Sequence, residues 1–285
     1  MKPAKLEQLN SAIRVGSAAL DAASFDIAEI HFEKALKISP QNPYALCGLG
    51  RAMDARGNKD KAKVYHSRAT IFGREIPDVQ LSYASFLLQS NNLLDALVYF
   101  DATLKLCVAS KDNQKFEQIQ KHALFNKAVT LRHFNRPGEA IPLYQDYLRK
   151  FGADATVLYN LANALDANGD SESAVDFYID ALRLAPDDID IKKNLAEALS
   201  GMGRIDEAEA LFNALISTEK LSAPAKFGLS LIKLKKREFD AGWDLYKARW
   251  EDDDFISQQS PLHAGFLNDY RKKQTQDDLK GRSII

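Results

Sequence analysis

Between Leu9 and Ile256 the chain repeats itself every 34 residues, with a single ten-residue interruption. That interval constrains the fold more tightly than any single residue, because a period of this length is the mark of stacked supersecondary units. Seven copies begin at Leu9, Pro43, Pro77, Lys121, Ala155, Ile189 and Ala223, and residues 111–120 fall outside the register. The eighth position of each copy is small: Gly16, Gly50, Ala84, Ala128, Ala162, Ala196 and Ser230. The twentieth is small again, from Ala28, Ala62 and Ala96 through Ala140, Ala174 and Ala208 to Gly242. Four residues further on, every copy has a ring: Phe32, His66, Phe100, Tyr144, Tyr178, Phe212 and Tyr246. Small residues let two helices approach closely, and a ring one turn later fills the space between them. Each copy is therefore expected to be two antiparallel helices.

The fifth copy shows the local signals. Leu158, Leu161, Ala162 and Leu165 recur at three- and four-residue spacing and stop at Gly169-Asp170, a helix end followed by a helix start. Ala174, Tyr178, Ala181 and Leu182 resume the period, and Pro186 closes the unit. This 34-residue helix-turn-helix pattern resembles the tetratricopeptide repeat (TPR) family over 248 of the 285 residues, Leu9 to Ile256. The resemblance implies an all-α fold, a right-handed superhelical solenoid of about seven repeats with a C-terminal capping segment. The expected divisions are a lead-in at 1–8, repeats one to three at 9–110, an insertion or helix extension at 111–120, repeats four to seven at 121–256, and a cap or linker at 257–285.

Composition fits a soluble, cytoplasmic repeat protein: 46% hydrophobic, 27% charged, and a formal net charge of −1. No apolar run is long enough to span a bilayer, and Met1-Lys2-Pro3-Ala4-Lys5 leads into a polar amphipathic stretch instead of a signal sequence. Near-neutral charge with no basic stripe argues against nucleic acid as a partner. Cys47 and Cys107 lie in different repeats and suggest neither a disulfide framework nor a metal knuckle.

Catalytic chemistry, cofactors and metals are not expected. His31, His66, His122, His133 and His263 are scattered, and none sits in a His-Glu-x-x-His arrangement. His66 takes the ring position of its repeat and reads as a core histidine. Nucleophile-elbow, P-loop and dinucleotide patterns are missing, and Asp252-Asp253-Asp254 reads as a solvated acidic turn.

Function is then expected on the surface that the TPR resemblance assigns to binding, the groove lined by the first helix of each pair. There the second, fifth, sixth, ninth, twelfth and thirteenth positions face inward. The sixth position reads Arg14, Gly48, Ser82, Asn126, Asn160, Asn194 and Gly228, so three consecutive asparagines stand in repeats four to six. An Asn side chain offers one acceptor and two donors, enough to hold both the C=O and the N–H of an extended backbone. The three match the asparagine ladder in the TPR arm of O-linked N-acetylglucosamine transferases, which implies that Asn126, Asn160 and Asn194 clamp a peptide. Phe125, Val129 and Tyr159 lie at groove positions beside them, and Asn163 follows at the ninth position of the fifth copy. Net hydrogen bonds contribute about 0.5–1.5 kcal/mol each, so a micromolar protein or peptide partner is the expectation.

A carboxylate clamp of the co-chaperone kind fits poorly. Asn163 and Asn194 are correctly spaced for it, but Tyr159 stands where a cation belongs, and Pro224 and Gly228 occupy the positions of two further cations. Lys193 supplies a cation one repeat on, where Glu197 would repel the ligand. Lys127 is a second departure: it takes the seventh position, which is Val15, Leu49, Tyr83, Leu161, Leu195 and Leu229 elsewhere. An unpaired buried ammonium is costly, so Lys127 is expected to reach the surface or find a carboxylate. The preceding insertion is expected to lengthen the helix pair there, and it could also bend the stack or form a partner site.

The seventh copy holds both tryptophans, in Gly242-Trp243-x-x-Tyr246-x-x-Arg249-Trp250. This is similar to the terminal repeat of bacterial proteins in which a TPR array leads into a GT-B glycosyltransferase domain. Leu279, Gly281 and Arg282, followed by Ser283-Ile284-Ile285, match the start of such a domain. The resemblance implies a non-catalytic, substrate-recruiting arm of a larger enzyme. A free-standing adaptor stays open, with Leu262, Phe266, Leu267 and Tyr270 on one face of a capping helix, as does an oligomerisation module whose groove or other face pairs with its own copy.

Overall fold

The computed structural model describes residues 2–109, 116–217 and 222–250. Fourteen α-helices and one short 3-10 turn make up the described residues, with no strand among them. The first helices of the repeats are α1 (Pro3–Asp21), α3 (Pro43–Ala55), α5 (Pro77–Gln89), α7 (Glu117–His133), α9 (Ala155–Ala167), α11 (Ile189–Gly201) and α13 (Ser222–Lys235). The second helices are α2 (Phe25–Ile38), α4 (Lys59–Phe72), α6 (Leu93–Ala109), α8 (Pro137–Phe151), α10 (Ser171–Leu184), α12 (Ile205–Ile216) and α14 (Phe239–Tyr246). Second helices start 34 residues apart except across the insertion, where the interval from Leu93 to Pro137 is ten longer. The helices α6 and α7 that flank the insertion are both 17 residues long. The helix at the N-terminus begins at Pro3, ahead of the first repeat frame. The segment 257–285, Asp252–Asp254 and the Leu279-x-Gly281-Arg282 match lie outside the described residues.

The chain divides into two compact units, Met1–Asn168 and Gly169–Ile285, so the division falls in the turn of the fifth repeat. In each unit the helices pair in chain order, α1 with α2, α2 with α3, and so on in the first, and α10 with α11 through α13 with α14 in the second. Local sequence accounts for the helix starts. Asn42, Asn58, Asp154, Asp170 and Asp188 each accept a hydrogen bond from a backbone N–H in the first turn of the following helix, and proline opens α3, α5 and α8.

The turn within every repeat is closed by one residue in the left-handed region, always at the fifteenth position. These are Ala23, Gly57, Asn91, Asn135, Gly169, Gly203 and Arg237, with φ from 54° to 88°. In most of these turns the N–H of the next residue bonds back five positions, as from Asn58 to Met53 O at 2.9 Å and from Arg204 to Leu199 O at 2.9 Å. This is the Schellman closure, and it satisfies carbonyls that the helix end leaves open.

Packing follows the small-residue and ring code. Alanines at position 20 are fully buried in both units, as at Ala28, Ala62, Ala174 and Ala208. The rings of Phe32, Phe100, Tyr144, Tyr178 and Phe212 are also buried, and they are among the largest side chains that water does not reach. A Cβ on Gly16 would come within 2.9 Å of the Phe32 ring, and one on Gly48 within 2.3 Å. The ring is thus a wedge between the first helix of its own repeat and the first helix of the next. Phe212 does the same in the second unit, 2.5 Å from where a Cβ on Gly228 would stand.

Lys127 does find a carboxylate: its ammonium lies 2.6 Å from Asp101 Oδ1 on α6, with the lysine side chain largely covered. In the second unit Lys233 and Lys236 both reach Glu209, at 2.7 and 2.6 Å, and Lys236 also pairs with Asp206. These carboxylates hold Lys236 well above the ordinary ammonium range.

Candidate peptide-binding groove

The first unit contains a groove of ≈ 800 Å³ along its first helices. All six inward positions of the second repeat line it: Tyr44, Cys47, Gly48, Arg51, Asp54 and Ala55. The third repeat contributes Asp78, Leu81, Ser82, Ser85 and Gln89, the first Ile13, Ser17 and Leu20, and the fourth His122. The floor comes from the wedge rings Phe32 and His66, with Phe25, Val79 and Phe86.

His66 is buried, stacked on Phe86 at 5.1 Å and Tyr83 at 5.9 Å, and its Nδ1 has no partner. Burial pushes its imidazole down to about 4 from the ordinary 6.5, so it is neutral near pH 7 and behaves as one more core ring. Cys47 sits at the groove wall, where burial pushes its thiol up and the neighbouring Ser82 side chain partly counters this. A raised thiol is a poor nucleophile, so Cys47 serves as a wall residue. The rim holds both signs of charge: Arg51 lies 4.0 Å from Asp21, and Asp54 pairs with Lys59. An apolar floor under a mixed polar rim suits an extended segment with apolar side chains pointing down and its backbone along the rim.

The sequence-derived site residues lie further along the chain. Asn126 is half-buried on α7 and Asn160 buried on α9, both in the first unit, while Asn194 is half-buried on α11 in the second. The Asn160 amide is already engaged: its Nδ2 donates to Thr156 O at 2.8 Å and its Oδ1 accepts from Arg132 at 3.5 Å. That places a cation of α7, at the twelfth position of its repeat, against the ladder residue of α9. Beneath them, burial pushes the Tyr144 phenol up to about 12, with the Arg132 guanidinium partly countering. Phe125 is half-buried and packs edge-on against the same Tyr144, ring centres 6.1 Å apart. Val129, Tyr159 and Asn163 are half-buried on α7 and α9.

None of these seven residues lines the ≈ 800 Å³ groove, which sits one to three repeats nearer the N-terminus. The signal for it was in the sequence, since the same inward positions read in repeats one to three yield its walls. Among the described residues no three His, Cys, Asp or Glu side chains gather as a metal site would require, and no helix is long and apolar enough to cross a membrane.

Two tetratricopeptide-repeat family models match the chain, over residues 121–189 and 167–226. No curated protein matches it. Among solved structures it is similar to pilF of Pseudomonas aeruginosa, at 15% identity and TM-score 0.66 over 81% of this chain and 99% of that one. A tetratricopeptide repeat protein from Parabacteroides merdae is 15% identical, with TM-score 0.63 over 92% and 97% of the two chains. YrrB, described as a TPR protein with an unusual peptide-binding site, is 18% identical, with TM-score 0.52 over 72% and 97%. At these identities the likeness is one of fold.

Proposed function

We propose, from the tetratricopeptide repeats that span residues 121–226, that this chain is a protein-interaction scaffold that holds an extended peptide segment along its first helices, as the recruiting arm of a larger glycosyltransferase. The observation that supports peptide binding most strongly is the groove of the first unit, whose walls are the inward positions of three successive repeats. Its floor takes apolar side chains. Its rim of Tyr44, Ser82, Ser85 and Gln89 offers donors and acceptors to a backbone. Asn126, Asn160 and Asn194 continue the series of polar inward positions into repeats four to six. Asn160, tied to Arg132, acts there as a support for that cation as well as a contact. The link to sugar transfer rests on Gly242-Trp243-x-x-Tyr246-x-x-Arg249-Trp250 and Leu279-x-Gly281-Arg282.

The test is calorimetric titration with a peptide selected from a random library on the full chain. A micromolar dissociation constant is expected. Tyr44→Ala combined with Leu81→Ala should weaken it at least about tenfold, since each removes an apolar contact of ~1–2 kcal/mol. Asn126→Ala, Asn160→Ala and Asn194→Ala together should weaken it several-fold. Unchanged affinity in the folded Tyr44/Leu81 variant would overturn the groove, and unchanged affinity in the triple variant would remove the asparagines from the site. For the enzyme arm, the gene is read past the Ile285 codon: an open frame encoding a GT-B domain is expected, and a stop codon would sink that part.

A further inference from the structure

Arg132, on α7 of the first unit, is the single arginine among the described residues that is not exposed. Its Nε is closed to water and has no hydrogen-bond partner. Its Nη2 reaches Asn160 Oδ1 only at 3.5 Å, and that acceptor is neutral. The hydroxyl of Tyr144 is likewise closed to water and without a partner. Partly covered lysines are treated differently, since Lys121, Lys127 and Lys233 have carboxylates at 2.9, 2.6 and 2.7 Å. Among the described residues no carboxylate answers Arg132. The acids of α7 and α8 are engaged elsewhere, Glu117 with Lys121, Glu139 with Arg136, and Asp146 with Arg149 and Lys150. No ion pair joins Arg132 to Asp166, the one acid of α9.

A guanidinium partly out of water and lacking a counter-ion is an unfavourable arrangement. Repeat packing does not call for it, because the same twelfth position is Leu20 in the first repeat and Leu88 in the third. An arriving anion recovers the cost: the cation has already shed part of its water, and its contact with Asn160 limits the freedom it has left to lose. With Nε turned inward, the Nη end of the fork is what the half-buried residue presents to a ligand. That end matches the two oxygens of a carboxylate. A phosphate group carries nearly two charges, and here there is one cation. The ≈ 800 Å³ groove reaches α7 at His122. Arg132 lies ten residues further along that helix, about 15 Å, a distance that about five residues of extended peptide cover.

We infer, on the strength of the peptide-binding reading above, that Arg132 anchors a carboxylate of the bound peptide, either an acidic side chain or the chain end. The cation stands at the twelfth position, whereas the co-chaperone clamp has its cations at the second, fifth and sixth.

Peptides selected on the full chain from a random library serve as the probe. Neutralising the peptide's carboxylates, by glutamate to glutamine and aspartate to asparagine or by amidation of the C-terminus, should raise the dissociation constant at least about tenfold. Which of the two changes does so tells an acidic side chain from the chain end. With Arg132→Gln the same changes should matter less than about twofold, and Arg132→Lys, which keeps the charge and loses the fork, should fall between. Thermal melts check that both variants fold; if Arg132→Gln does not, Arg132→Lys and the peptide changes still decide. An Arg132 that only supports Asn160 would weaken charged and neutralised peptides alike. That result, or an affinity unmoved when every carboxylate of the peptide is neutralised, overturns the inference and leaves the groove standing, whereas a folded chain that selects no peptide sinks both.

Discussion

Arg237 and Ala23 hold a left-handed conformation that Gly57, Gly169 and Gly203 adopt at the same turn position in other repeats. A side chain with a Cβ is strained there, and glycine is not. Arg237→Gly and Ala23→Gly are therefore each expected to stabilise the fold by about 0.5–1 kcal/mol, net of glycine's larger unfolded-state entropy, read as a rise in denaturation midpoint. The punctuation was visible in the sequence where glycine or asparagine supplied it, as at Gly57 and Asn91, whereas Ala and Arg carry no mark of φ. His66 makes the opposite case, since its ring position alone identified it as core. Its pKa when folded, about 4, lies below the unfolded 6.5. Between those values the unfolded chain takes up a proton that the folded chain refuses. Stability should thus fall as pH drops from 6.5 to 4 and level off below, by at most ~3 kcal/mol from this group. His66→Phe, the ring of Phe32 and Phe100, should remove that part of the slope; urea midpoints at pH 7 and pH 4.5 that shift equally in both proteins would contradict it.

Between elements, the contact of α6 with α7 shows what the insertion changes. Elsewhere the seventh position is an apolar residue such as Leu49 or Leu161, each almost wholly buried. At Lys127 the aliphatic stem stays covered while the ammonium reaches Asp101, whose carboxylate is half in solvent. The pair is thus shielded less than a buried one. Asp101→Ala should cost about 1 kcal/mol, and Lys127→Leu should be neutral or stabilising because leucine restores the common packing. Thermal melts of the two variants, compared with the parent, check the sign of each. That Lys127 needs a relief route was legible from the register of the repeats. Which carboxylate supplies it was not, because Asp101 stands 26 residues earlier and only the packing of α6 on α7 brings it near. The asparagines have the same limit: their spacing marked inward positions, but the hold of Arg132 on Asn160 is a tertiary fact with no local signature.

At the scale of the molecule, the period dictated nearly all of the helical architecture, since helix starts follow from a count. It said less about where a ligand would sit, because groove depth depends on which side chain fills the sixth position, and that depends on the ring behind it. Gly48 and Gly228 are glycines because Phe32 and Phe212 of the preceding repeat already occupy the space. The smallest transplantable piece of binding surface is therefore a second helix with the first helix that follows it, offset by half a unit from the repeat as the sequence is conventionally cut. Chimeras joined at repeat boundaries would carry the lining of the groove without its floor, whereas junctions placed in the turn between the two helices of a repeat would carry both.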